Sequence, residues 1–317
     1  MNKIPNVPTQ PSPAQPSGAP TTDRIRWFII ASIALVLGFG VPLYHLVRFA
    51  LGSELYSHIV LIPFISAYLV WTMRKTLPSH SKPAYPWAVA ALGGGAALLV
   101  LYGILALSGT RLALEDSLAL TTLAFVVLFW GICARFLGQE TLRALVFPLG
   151  FLIFLVPFPV FFQSWLETVL QHGSAWVAYA FFKISGMPVF NEGLVFRLPG
   201  FSLEIAPQCS GIHSTLALFI TSLLAGYFFL RTPWKCATLT LAVLPLALLR
   251  NGFRVFVIGT LCVRVGPEMI DSPIHHHGGP LFFVLSLIPL FLLMYFLWRS
   301  DRRRPPGESK AQVASIE

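Results

Sequence analysis

The chain has 317 residues, of which 56% are hydrophobic and 11% charged, whereas charged residues make up about a quarter of a typical soluble domain. That balance, with a mean hydropathy of +0.73, excludes a soluble globular protein and makes lipid the solvent. The net charge of +9 does not call for nucleic acid, because the basic residues stand at the ends of apolar runs, where they report membrane orientation.

Residues 1–22 carry Pro5, Pro8, Pro11, Pro13, Pro16 and Pro20 among Gln, Ser and Thr. With almost nothing to bury, this stretch is expected to be a disordered cytoplasmic tail. The first apolar run begins at Trp27, further in than a cleaved signal peptide and long enough to span, so it is expected to be retained. Crossing about 30 Å of hydrocarbon takes roughly 20 apolar residues. Eight candidate spans are read from the sequence: Trp27–Val47, His58–Met73, Pro86–Leu107, Ser117–Ala134, Ala144–Phe162, Gly211–Leu230, Cys236–Phe253 and Pro280–Trp298. The expected fold is an all-α polytopic membrane protein, with one transmembrane domain over 23–299 and a basic cytoplasmic tail over 300–317.

With the N-terminus in the cytoplasm, alternation of the spans puts 15 of the 22 Lys and Arg residues inside. The positive-inside rule therefore places both termini in the cytoplasm. Mid-span Gly93, Gly94, Gly95, Pro148 and Pro157 read as packing residues that neighbouring helices accommodate.

One long polar-leaning segment, Gln163 to Gln208, interrupts the pattern on the outer side before the sixth span. Its first half, through Ile184, sets Trp165, Leu166, Val169 and Leu170 among Glu167, Gln171 and His172, which suits a helix lying at the interface. Its second half alternates around Leu198-Pro199-Gly200, a type II bend, and predicts a short outer-face hairpin that leads to Cys209.

Cys133, Cys209, Cys236 and Cys262 show no CxxC or zinc-type spacing, so neither a disulfide framework nor a metal site is expected. Depth arithmetic places Cys209 at the outer boundary. At about 1.5 Å per residue, Cys209 lies roughly 33 Å from the inner anchor Arg231, and Arg254 lies roughly 28 Å from the inner anchor Lys235. Counting back from Arg299 along the eighth span leaves His275, His276 and His277 just outside. A thiol, a guanidinium and an imidazole thus reach one membrane face from three consecutive spans.

Each has a plainer reading. Cys209 could be a small apolar packing residue; Arg250, Arg254 and Arg264 could all snorkel to headgroups; the His triplet could be a metal-binding tract or an interfacial loop. Taken together they fit acyl transfer, in which a thiol is deprotonated by a base and a cation stabilises the developing oxyanion. The helix that Cys209 opens and the nearby Arg favour its thiolate. Glu204 and Asp271 are candidates to orient the base.

These residues resemble the exosortase and archaeosortase family of membrane enzymes over most of the chain, from about Tyr56 to Trp298. The family's Cys-Ser-Gly-Ile motif stands here as Cys209-Ser210-Gly211-Ile212, after Ala206-Pro207-Gln208. Its Asn-x-x-Arg-Val motif stands as Asn251-Gly252-Phe253-Arg254-Val255, and singles out Arg254. Its His four residues before the Gly of the last span selects His275 with Gly279, and leaves His276 and His277 as neighbours. Tyr56-Ser57-His58 matches the second-span signature and makes His58 a candidate pocket residue. His213 departs from the Arg that many relatives carry there.

The resemblance implies a sortase-like cysteine protease or transpeptidase without a cofactor, in which Cys209, Arg254 and His275 do the chemistry. The implied substrates are secreted proteins ending in a Pro-Glu-Pro-type motif, an apolar helix and basic residues. Membrane lipids and exopolysaccharide-export components are the other expected partners. Two rival classes fit a polytopic chain: a transporter or channel, and a non-catalytic part of a polysaccharide-export assembly. A transporter site favours the bilayer midplane and paired repeats, whereas here the ionisable groups gather at one edge and no internal repeat is found.

Overall fold

The computed structural model describes residues 21–78, 84–109, 112–207, 210–266, 268–269 and 279–302. Twelve α-helices run in chain order among them: α1 Thr21–Gly38, α2 Gly40–Leu51, α3 Ile62–Met73, α4 Tyr85–Leu107, α5 Leu114–Phe136, α6 Gln139–Ala144, α7 Val146–Phe151, α8 Val160–Ile184, α9 Ile212–Phe229, α10 Pro233–Leu241, α11 Val243–Arg264 and α12 Gly279–Arg302. Three short strands lie between α8 and α9: β1 Phe190–Glu192, β2 Val195–Leu198 and β3 Phe201–Glu204. The two tails expected from the sequence fall almost wholly outside the described residues.

Five helices are long and apolar enough to cross a membrane, counting α10 with α11 as one, or up to seven if two interrupted pairs each count as a span. The sequence pattern suggests eight, and proline accounts for the difference. Pro42 has no N–H to give the Gly38 carbonyl four residues back, and α1 and α2 meet there at 67°. The expected second span is a 3₁₀ turn, Ser57–Val60, followed by the 12-residue α3 with Pro63 in its first turn. At 1.5 Å per residue α3 reaches only roughly 18 Å. The expected fifth span is α7, a 3₁₀ turn over Leu152–Leu155, and then extended backbone at Val156 (φ −80°, ψ 115°). Val156 precedes Pro157, which disfavours helix at the residue before it. The helix expected to begin near Gln163 starts at Val160 and continues for 25 residues.

The described residues form two compact units, one from residues up to 48 with 59–157, the other from 49–58 with 158 onward. In the first, α4 and α5 pack through reciprocal glycines. A Cβ on Gly95 would meet Leu128 side-chain carbons at 2.5 Å, and one on Gly131 would meet Leu92 at 2.8 Å. Each leucine therefore fills the space opposite a missing side chain, which is how helices approach closely in lipid. The short helix α7 needs outside partners for its carbonyls. Ser66 Oγ donates to the Pro148 carbonyl at 2.8 Å, and Trp130 Nε1 donates to that of Leu149 at 2.9 Å.

In the second unit the strands form one antiparallel sheet in the order β1-β2-β3, with Val195 opposite Glu204 and Leu198 opposite Phe201. Pro199 and Gly200 make the bend, and Gly200 takes φ 74°, the left-handed value that the third position of a type II turn requires. Phe196, Leu198, Leu203 and Ile205 bury themselves against Ala175, Ala178 and Phe182 of α8 and Val255 of α11. Gly252 lets α8 and α11 touch: a Cβ there would lie 2.6 Å from Val177 and 3.0 Å from the Ala178 nitrogen.

The α9–α10 turn is tied to the end of α12 by a buried ion pair. Lys235 Nζ lies 3.1 Å from Asp301 Oδ1, with side chains 2% and 8% exposed. Asp301 also accepts from Thr232 Oγ1 and from the Arg231 N–H, and Lys235 donates to Ser300 Oγ as well. Removing one partner of such a pair strands the other charge. Lys235→Met should cost roughly 3 kcal/mol, the low end for a buried pair because this one sits at helix ends. Thermal unfolding in detergent should show a lower midpoint, and Lys235→Met/Asp301→Leu should recover much of the loss. A single variant as stable as the parent would contradict this account.

Candidate active site

The segment that holds Cys209 is framed by described residues on both sides. The Ser210 N–H donates to the Pro207 carbonyl at 3.0 Å, and Ser210 is only 2% exposed. Gly211 then takes φ 75°, the left-handed conformation, and caps the start of α9. Its carbonyl accepts the Thr215 N–H at 2.9 Å and Thr215 Oγ1 at 2.8 Å. Those bonds fix where α9 begins and hence where the preceding residues are delivered.

Helix α11 meets this turn with two side chains. Arg250 Nη2 donates to the Gly211 carbonyl at 3.3 Å, and a Cβ on Gly211 would lie 2.9 Å from that nitrogen and 3.1 Å from Asn251 Oδ1. Asn251 is 2% exposed and donates from Nδ2 to Ser174 Oγ of α8 at 3.0 Å. On the same helix, Gln171 Nε2 donates to the Ile205 carbonyl at 2.8 Å, which pins the chain leaving β3. Gly211 is thus glycine for two reasons: its backbone is left-handed, and α11 occupies the space of its side chain.

One turn beyond Arg250, Arg254 is half-buried and lines a cavity of about 20 Å³ with Glu204, Asn251, Ile205 and Val255. That volume holds about one water. Arg254, Asn251 and Glu204, three of the candidates read from sequence, therefore share one small cavity. His58 and His213 do not line it. His58 Nδ1 is 3.0 Å from the Leu55 carbonyl, in the segment where Tyr56 donates to Gln163 Oε1 of α8 at 2.8 Å. His213 is exposed on the first turn of α9. Cys209, His275, His276, His277 and Asp271 lie outside the described residues.

Arg250, Ser174 and Gln171 are contacts that the sequence did not point to. The only signal for Arg250 was its place four residues before Arg254, which puts the two on one helix face. The other cysteines are packing residues: Cys133 and Cys262 are buried, and Cys236 Sγ lies 3.4 Å from the Gly226 carbonyl. Among the described residues no three His, Cys, Asp or Glu side chains are grouped as metal ligands would be.

The profile of the transmembrane exosortase family matches residues 47–292. The chain belongs to that family. No curated protein and no solved structure matches it. The matched stretch contains the Gly211 turn, all of α11 and the first part of α12, together with Cys209 and His275. An exosortase is embedded in the membrane by several passes, in keeping with the apolar helices found here, and membership suggests a membrane transpeptidase or protease.

Gly211→Ala tests the cradle. Alanine in a left-handed conformation costs about 1–2 kcal/mol, and here the new methyl would also displace Arg250 or Asn251. Gly193 has φ 70° with nothing within 4 Å of its missing Cβ, so Gly193→Ala carries the backbone strain alone. Thermal unfolding in detergent should rank Gly211→Ala clearly below Gly193→Ala; equal midpoints would mean that α11 does not press on the turn.

Proposed function

We propose that this exosortase is a cysteine protease or transpeptidase that removes the C-terminal sorting signal of secreted proteins at the outer face of the cytoplasmic membrane. Both termini are then cytoplasmic, as the charge distribution favours. Its substrates end in a short Pro-Glu-Pro-type motif, one apolar helix and basic residues, and that helix docks among the apolar helices of the enzyme.

His275 takes the proton of Cys209, and the thiolate sulfur attacks the scissile carbonyl carbon just outside the lipid. Arg254 stabilises the oxyanion. As the tetrahedral intermediate collapses, the C–N bond breaks and His275 returns the proton to the departing amine, leaving a thioacyl-enzyme. Water, or an amine on a surface glycan or lipid, then attacks the thioester and frees the thiol. Secreted proteins and lipids are the direct partners, and exopolysaccharide-export components fit the same surface chemistry.

The observation that carries this reading is that, in a chain of this family, Arg250 and Asn251 of α11 lie against the turn that follows Cys209, and Arg254 shares a small cavity with Asn251. An acyl-transfer site needs its nucleophile beside a cation that can hold developing negative charge.

Co-expression of the enzyme with a secreted protein bearing such a signal, followed by intact-mass spectrometry, tests it. The parent should shorten the substrate at its motif. Cys209→Ala should leave the tail intact, and Arg254→Gln and His275→Ala should slow processing by at least about 100-fold, as loss of an oxyanion donor or a general base does. Full processing by Cys209→Ala would overturn the reading.

A further inference from the structure

Helices α8 and α11 lie side by side and run in the same direction. A Cβ on Gly173 would meet Leu248, one on Gly252 would meet Val177, and one on Gly259 would meet Phe182, so residue numbers on both helices rise together along the contact. The span made by α10 and α11 starts against the end of α9, where a Cβ on Gly226 would lie 3.5 Å from Cys236. It reaches the start of α9 at Asn251, which lies beside Gly211 and bonds to Ser174.

Those contacts fix heights. Helix α9 has 18 residues, roughly 27 Å, close to the roughly 30 Å of a hydrocarbon core. Its two ends therefore mark the two faces of the membrane, and Ser174 and Asn251 lie at the Gly211 face. Both α8 and α11 continue past it. Lys183 follows Ser174 on α8 by nine residues, a further rise of roughly 14 Å, whereas the headgroup band on one side is only roughly 5–8 Å deep. The end of α8 and the sheet beside it stand in water.

At that height an open groove of about 660 Å³ is lined by Lys183, Met187, Val189, Phe190, Arg197 and Pro199 among others. One wall exists because α8 stops. Gly186 takes φ 71°, the Met187 N–H bonds back to the Phe182 carbonyl at 3.2 Å, and Pro188 cannot continue the helix. Ile184 and Phe190 are 83% and 61% exposed, apolar surface where no lipid covers it, which marks a place for a partner.

Among the described residues the lining holds two cations and no carboxylate. Lys183 Nζ lies 5.5 Å from the centre of the Tyr179 ring. Arg197 Nη2 donates to Glu192 Oε2 at 2.7 Å, which engages one side of a fork that carries five N–H groups. Strand β1 is an outer strand of the sheet, and such an edge can pair with an extended chain. Apolar walls, two cations and a strand edge fit an extended peptide that bears a carboxylate. A phospholipid headgroup lies lower.

We propose that this groove binds the outer segment of the substrate protein, on the N-terminal side of its apolar helix, with an acidic side chain held between Lys183 and Arg197. An extended chain rises roughly 3.3 Å per residue, so that acidic residue stands at least about four residues outside the lipid boundary. The inference rests on the reading that the substrate is a secreted protein tethered by an apolar helix, and it adds where that chain is gripped. The groove performs no chemistry.

Peptide binding tests it without any cleavage. The probe is a ten-residue peptide with one central glutamate, otherwise uncharged, capped at both ends and carrying an uncharged fluorophore. Its anisotropy is followed on the full chain in detergent. Glutamine in place of the peptide's glutamate should weaken binding roughly 3–10-fold, as should Lys183→Gln with Arg197→Gln, the range expected of one or two exposed ion pairs. The two changes together should cost no more than either alone. Glu192→Gln, which releases Arg197, should tighten binding.

Binding that ignores the peptide's charge, or that survives the double substitution unchanged, overturns the proposal. So does copurified phosphatidylglycerol that depends on Lys183 and Arg197 in a chain that binds no peptide, since the groove would then be a lipid site. If the double variant yields no monodisperse protein, Glu192→Gln decides: tighter binding supports the groove, and unchanged or weaker binding overturns it. Normal peptide binding by a chain that cleaves no sorting signal would count against the proposed cleavage and leave the groove standing.

Discussion

At membrane depth a backbone N–H or C=O that leaves its helix must find a partner within the protein, since lipid offers none. That requirement organises much of this chain. Where α7 passes into its 3₁₀ turn, side chains from elsewhere bond its carbonyls, as Ser66 and Trp130 do for Pro148 and Leu149. Where the chain leaves the sheet and enters α9, Gln171 takes the Ile205 carbonyl and Arg250 that of Gly211. The irregular backbone around the candidate site is therefore held by polar side chains of α8 and α11. The same side chains that satisfy it also bring charge to it.

Close approach is the second half of the arrangement. Polar side chains as short as serine and asparagine link two helices only when those helices are nearly in contact, and Gly252 allows that contact between α11 and α8. Asn251, next in sequence, then reaches Ser174 on one side and Gly211 on the other. The motif residues Gly211, Asn251 and Arg254 thus belong to one packing problem, and the steric and electrostatic demands on them are not separable.

The fold was legible where apolar runs are unbroken. Helices α4, α5, α9 and α12 lie within a few residues of the spans read from hydropathy, because length and composition decide such helices. It was less legible where proline intervenes, since hydropathy sums across Val156–Pro159 without registering that the backbone there cannot stay helical. Within the site, the Cys-Ser-Gly-Ile and Asn251–Arg254 motifs were picked out by their resemblance to the family. The pairing of Asn251 with Ser174, or of Arg250 with Gly211, could not be, because those partners lie 77 and 39 residues apart. A count of charges at helix ends treats Arg250 and Arg254 alike; the family motif singled out Arg254, and the packing of α11 against the Gly211 turn brought out Arg250.

The tie between Lys235 and Asp301 also bears on the order in which the molecule is built. The two residues are 66 positions apart, and Asp301 ends the last helix. At about 5–20 residues per second, synthesis leaves Lys235 for roughly 3–13 s before its counter-ion has been made. Throughout that interval Lys235 lacks the carboxylate against which it is finally buried. The tie between the α9–α10 turn and the end of α12 is thus completed only once α12 has been made and docked.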